Sequence, residues 1–202
     1  MAGTVTGSVS VTDKAGRKAS DLSDTVISLE GARVKAKPAK AMMTMRAKSF
    51  TPHVVVVPVG GTVDFPNEDP IFHNAFSVSG ENSFDLQLYK RPKSGSFTFQ
   101  HPGIVRVYCN IHPQMSALIV VRDSPYYAKA NPDGSFALAG VAAGKYTLRA
   151  WHERGGDATV EIMVPADGQV GAQLNLDASA FKQVTHKKKD GSDYSASGAD
   201  KY

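Results

Sequence analysis

The chain has one cysteine, Cys109, and one tryptophan, Trp151, in 202 residues. A single cysteine excludes an intramolecular disulfide, so cysteine pairing does not fix the redox compartment. No apolar run approaches the ~20 residues that a transmembrane helix needs. Charge of one sign is also scarce: 23 Lys and Arg stand against 19 Asp and Glu, a formal +4. No basic stretch is interleaved with aromatics, which argues against a nucleic-acid partner. No nucleophile has a base beside it in sequence, and no carboxylate pair stands in a catalytic setting, so an enzyme is not expected. No signal peptide is visible at Met1-Ala2-Gly3.

What is present is alternation. Eighteen Gly, eleven Pro and many Val, Thr and Ser favour an all-β chain. Thr4–Thr12 alternates with period two and ends at the turn Asp13-Lys14-Ala15-Gly16. Asp24–Glu30 is a second strand, closed by Gly31. Ala32–Thr44 loses periodicity and reads as a connector, with Met42, Met43 and Met45 as packing residues rather than a Cu(I) thioether site. Phe50–Phe65 holds two strands around Pro58-Val59-Gly60-Gly61. Beyond Arg122, the segments Tyr127–Ala139, Lys145–Trp151, Thr159–Val164 and Gln169–Leu176 alternate around turns such as Pro132-Asp133-Gly134. Trp151 reads as a core residue closing a strand, with His152 at its end. His53 and His101 read as strand-end and turn residues. The segment from Phe181, with His186 before Lys187-Lys188-Lys189, lacks periodicity and reads as a polar, disordered tail.

One stretch carries chemistry. In Val105–Val121, VRVYCNIHPQMSALIVV, two strand-like runs flank a short loop with Cys109, His112 and Met115. Thiolate, imidazole and thioether are the soft-to-borderline donors that favour copper, and an electron-transfer copper site takes two His, one Cys and a weak axial Met. His73, in DPIFHNAFSVSG, supplies the second histidine. Structural zinc normally takes four Cys or His ligands, and Met suits it poorly. The reading is one mononuclear copper ion held by His73, Cys109, His112 and Met115.

The segments GGTVDFPNEDPIFHNAFS and FTFQHPGIVRVYCNIHPQM resemble the plastocyanin/amicyanin group of cupredoxins. Those proteins carry G-x-x-V-x-F/W-x-N-x-D…H-N and then P-G-x-x-x-Y-x-C-x-x-H-x-x-M. The resemblance covers about residues 45–122 and implies a Greek-key β-sandwich. It implies His73, Cys109 and His112 as strong ligands and Met115 as the axial one. It also implies that Asn74 ties the two ligand loops together and supports the thiolate. Cupredoxins work outside the cytoplasm, so the resemblance implies a periplasmic or otherwise exported protein whose signal has been removed.

NPDGSFALAGVAAGKYTLRAW resembles carboxypeptidase-regulatory-like and Cna B-type β-sandwich modules, whose first strands match the N-terminal segments here. The expected organisation is a second, smaller β-sandwich from residues 1–31 and 124–180. A cupredoxin domain at 45–122 is inserted after the connector 32–44, and a tail follows at 181–202.

The expected function is one-electron transfer to a redox partner protein of unknown identity. His112 is expected to reach the surface as the electron port. Pro70, Ile71, Ile111 and Pro113 would form an apolar docking patch, with Pro113 removing one N–H beside the ligand loop. A copper delivery or storage protein is the alternative. An enzyme would need an open coordination position, with Met115 off the metal.

Overall fold

The computed structural model describes residues 2–183 and 185–194. Among these the chain is all-β, with one 3-10 turn at Gly80–Asn82 and no α-helix. It divides into two compact units. The first comprises Met1–Ala36 and Ser124–Gln183, the second Lys37–Asp123 and Val184–Tyr202. Within the expected tail, 184 and 195–202 lie outside the described residues.

In chain order, β1 (Ala2–Thr12) and β2 (Val26–Glu30) open the first unit. The second unit follows with β3 (Lys40–Met42), β4 (Thr44–Arg46), β5 (Ser49–Thr51), β6 (Val54–Pro58) and β7 (Gly61–Pro66). It continues through β8 (Phe76–Ser77), β9 (Phe84–Asp85), β10 (Ser94–Phe99), β11 (Gly103–Tyr108) and β12 (Ser116–Arg122). The first unit resumes with β13 (Tyr127–Lys129), β14 (Ser135–Ala142), β15 (Gly144–His152), β16 (Gly156–Val164) and β17 (Gln169–Asp177).

The first unit has two sheets, ordered β14-β1-β17 and β13-β2-β15-β16. They enclose one core that includes Val5, Ile27, Leu29, Phe136, Leu148 and Leu176. Alternation along β1 and β15 sends every second side chain inward. Gly134 turns the chain before β14 with φ +86°, and a Cβ there would stand 2.4 Å from the Val9 carbonyl oxygen. Only glycine meets both conditions. Trp151 and His152, at the end of β15, are both buried.

The second unit pairs sheet β10-β7-β3 with sheet β6-β12-β11-β8-β9, and adds the hairpin β4-β5. Phe65, Phe99, Val107 and Ile119 are fully buried in its core. Each large apolar side chain removed from water there contributes roughly 1.5–3 kcal/mol. Strand β7 alternates, burying Gly61, Val63 and Phe65. Strand β12 does not alternate; Ala117–Val121 are all buried, so both of its faces are covered, and in its sheet it pairs with β6, parallel, and β11, antiparallel.

The connector expected at 32–44 is partly strand: Lys40–Met42 pair in parallel with Thr62–Asp64. Three residues are too few to show a period, and their partner lies far along the chain. Met43 and Met45 are fully buried core residues, while Met42 is exposed.

Candidate metal centre

The ligand loop is built by the ends of two paired strands. β11 stops at Tyr108 and β12 starts at Ser116, so seven intervening residues must turn back. The Cys109 amide donates to the Met115 carbonyl at 3.2 Å, and the Met115 amide donates to the His112 carbonyl at 3.0 Å. These bonds hold Cys109, His112 and Met115 in one tight turn. All three are buried.

His73 comes from the loop after β7. Its backbone exchanges hydrogen bonds with Tyr89, N to O at 3.0 Å and O from N at 2.9 Å. The Asn67 side-chain amide donates to the carbonyls of Ile71 and Tyr89, and the Tyr89 hydroxyl donates to the Phe65 carbonyl at 2.7 Å. The loop is therefore braced from inside. The His73 ring is fully buried, and its Nε2 lies 2.8 Å from Asp69 Oδ2. A carboxylate only accepts, so Nε2 carries the proton and the Nδ1 lone pair faces the centre.

Asp69 holds more than the histidine. Its Oδ1 accepts from the Ala47 amide at 2.8 Å, and its Oδ2 accepts from the Lys48 amide at 2.9 Å. Ala47 and Lys48 form the two-residue turn of β4-β5, both with positive φ, at 51° and 54°. Such turns normally use Asn-Gly or Asp-Gly; here the carboxylate stabilises the left-handed pair. Partial burial raises Asp69, but hydrogen bonds from Lys48, His73 and Ala47 hold it below its ordinary 3.8.

Asn74 joins the two ligand loops, its Oδ1 accepting from the Asn110 amide at 2.7 Å. Burial pushes the Cys109 thiol up, while the backbone amides of Asn74, Ile111 and His112 pull it down. A metal ion bound here would complete what those amides begin, because a coordinated thiol loses its proton.

The donor spacing fits one ion. His73 Nδ1 and His112 Nδ1 are 3.0 Å apart, and Cys109 Sγ lies 3.6 Å from His112 Nδ1. Nitrogens bound at about 2.0 Å, with angles of about 95–120°, stand roughly 3.0–3.5 Å apart, and such a nitrogen stands roughly 3.2–3.7 Å from a sulfur bound at about 2.3 Å. Both separations fall inside these windows. His73, Cys109 and His112 have their donor atoms within 4.8 Å of one another. His53 and His101 are not in this group: His53 is half-buried at the start of β6, and His101 faces Glu81 at 3.4 Å.

Two expectations are corrected. His112 does not reach the surface; it is 1% exposed, and its neighbours Ile111 and Pro113 are half-buried. The ring faces inward toward His73, with centroids 4.7 Å apart. The tail is not loose throughout: over 185–194 it lies on the ligand loop, with the Tyr194 hydroxyl 2.6 Å from the Cys109 carbonyl. Of the expected docking residues, Pro70 is exposed and Ile71 half-buried, beside exposed Phe72.

Sequence reasoning did not single out Asp69 or Tyr194, and it left His186 in the polar tail. Asp69 had a signal, four residues before His73 and inside the N-x-D part of the motif. His186 and Tyr194 had none.

Among solved structures, the chain is similar to a copper-containing nitrite reductase (NirK) from Thermus scotoductus SA-01, 31% identical over 45% of this chain, with a TM-score of 0.39. The match spans 24% of that reductase's length. A purple cupredoxin from Nitrosopumilus maritimus is 24% identical over 40% of this chain and 98% of its own, with a TM-score of 0.37. Amicyanin from Paracoccus versutus is 20% identical over 48% of this chain and 97% of its own, with a TM-score of 0.39. No protein-family model and no curated protein matches the sequence.

Proposed function

We propose that the second unit holds one mononuclear copper ion through His73, Cys109, His112 and Met115, and that the protein passes single electrons to and from a redox partner protein. The observation that carries this reading is the convergence of two imidazole nitrogens and one thiol at metal-ligand spacing in a buried pocket. Copper, when bound, supplies the Cu(I)/Cu(II) couple. The chain's own residues fix its surroundings. Asp69 sets the His73 tautomer, and Asn74 locks the Cys109 loop to the His73 loop. A braced pocket changes little between oxidation states, which suits fast exchange.

Four protein donors leave no open position, which argues against substrate activation at the metal. The electron leaves near His112, whose chain neighbours Ile111 and Pro113 are half-buried. Pro70, Ile71, Ile111 and Pro113 form the docking patch, suited to brief encounters. Exposed Phe72, with the Lys90 ammonium 5.4 Å from its ring, lies at its edge. The first unit is a scaffold of the carboxypeptidase-regulatory-like or Cna B-type, and the protein works in the periplasm or another exported location.

Redox cycling separates carriage from delivery. Repeated reduction by ascorbate and reoxidation by ferricyanide, beside a Cu(I) chelator, should return the full visible absorbance with one copper per chain. Loss of the metal to the chelator on the first reduction would favour a delivery or storage protein.

A further inference from the structure

The segment 185–194 reads from sequence as a solubilising tail, yet it is pinned to the second unit at several points. Its lysines belong to a turn: the Lys188 amide donates to the Ser192 carbonyl at 2.9 Å, the Gly191 amide donates to the Lys188 carbonyl at 2.9 Å, and Asp190 Oδ1 accepts from the Ser192 amide. Gly191 supplies the positive φ, 82°, that the turn needs. The Lys189 amide donates to Asn110 Oδ1 at 2.9 Å, and its ammonium pairs with Asp85 at 2.6 Å. The turn brings His186 and Tyr194 together, with rings edge to face at 5.2 Å. His186 stacks on Tyr108, with centroids 4.2 Å apart and planes 19° apart.

The anchoring residues are Tyr108, Cys109 and Asn110, the thiol and both its neighbours. The Tyr194 hydroxyl donates its one proton to the Cys109 carbonyl. The Tyr194 oxygen therefore accepts from His186 Nδ1–H, 3.3 Å away, which also faces the Lys187 carbonyl at 3.2 Å. Burial first, then Cys109 and Tyr108, push the Tyr194 phenol up, so it stays a donor.

We propose that residues 185–194 are a strap closing the thiolate side of the centre, with Tyr194 as the positioning residue for Cys109 and His186 as its seat. The strap keeps water and small solutes from the thiol and fixes the carbonyl that follows it in the ligand loop. With copper bound, the oxidised centre carries one more positive charge than the reduced one. A drier surround favours the reduced state, so the strap raises the potential. This redox consequence rests on the copper reading; the closure itself does not.

The test therefore starts without metal. Modification of Cys109 by Ellman's reagent is timed in the metal-free full chain, in Tyr194→Phe, in His186→Ala/Tyr194→Ala and in a control, Lys14→Ala. Thermal unfolding of each variant shows that it is folded. Tyr194→Phe keeps the ring and loses only the hydroxyl, so it tests positioning without threatening the fold. The expected rates are severalfold faster for Tyr194→Phe, at least about tenfold faster for the double variant, and unchanged for the control. Adding His186→Phe, which preserves the stack, should leave the rate within about twofold of the parent. Equal rates in all chains overturn the strap. After copper loading, the double variant should show a lower potential, and Tyr194→Phe a shifted thiolate-to-copper band. Faster thiol modification in the variants with no intense band in any chain would keep the strap and remove the copper reading. The intense band with equal rates would do the reverse.

Discussion

On the proposed copper reading, replacing Cys109 with serine is expected to abolish the intense visible absorption of the copper-loaded protein and to weaken copper retention on the order of a hundredfold or more. The size follows from the share of one ligand: four-ligand sites bind structural zinc with about 10–16 kcal/mol, so one strong ligand carries about 3 kcal/mol, roughly a hundredfold. The fold survives the change. Cys109 is fully buried, and a serine oxygen meets the same Asn74, Ile111 and His112 amides that face the sulfur. The metal-free variant should therefore stay within about 1–2 kcal/mol of the parent. Urea unfolding of the metal-free pair and copper titration against a competing chelator measure the two halves separately. A variant that keeps the parent's absorption would remove Cys109 from the ligand set.

Asp69→Asn loosens the centre from behind. The carboxylate accepts three hydrogen bonds, from Ala47, Lys48 and His73. An amide in its place turns an NH2 group toward one of those donors. The hairpin turn loses its compensation for two left-handed residues, and His73 loses its fixed tautomer. The expected costs are about 2–3 kcal/mol of stability at neutral pH and roughly 10–100-fold in copper affinity. The pH dependence has a definite sign. Asp69 is held below its ordinary 3.8 when folded. Its contribution is therefore complete above 3.8 and is lost as pH falls through the folded value. Urea midpoints of parent and variant should differ clearly at pH 7 and converge in acid below the ordinary carboxylate range. A difference of the same size at both ends would mean that the carboxylate charge is not what stabilises the turn.

The candidate ligand loop was legible because its chemistry is local. Cys109, His112 and Met115 sit in one loop between two apolar runs, and a turn that short has little freedom over what it brings together. His73 was legible only through the motif around it, since nothing local distinguishes it from His53. Asp69 was not singled out because PNEDP contains two acids. Only the pairing of β4 with β5, which places the Ala47-Lys48 turn beside the loop, gives Asp69 and not Glu68 the amides. Glu68 pairs instead with Arg46. Nothing in Arg46-Ala47-Lys48-Ser49 announces a left-handed turn, because the stabilising group lies over twenty residues away. The same distance hid β3, whose three residues form a strand only because β7 offers an edge. Strand β12 read correctly as an apolar run, while its place between β6 and β11 rests on pairing with strands that a local reading does not connect. His112 was expected at the surface as the electron port, flanked by Ile111 and Pro113, yet its ring is buried and faces His73. The tail's composition is polar, and the placement of residues 185–194 comes from contacts with Tyr108, Cys109 and Asn110 that composition does not encode.

The most direct test of the copper centre is the electron paramagnetic resonance spectrum of the full chain loaded with one equivalent of Cu(II), recorded with its visible spectrum. A buried His73, Cys109, His112 and Met115 set predicts an intense thiolate-to-copper band and narrow copper hyperfine splitting, because the sulfur shares the unpaired electron. A weak band with the broad splitting of ordinary nitrogen and oxygen coordination would place the metal away from Cys109 and contradict the account.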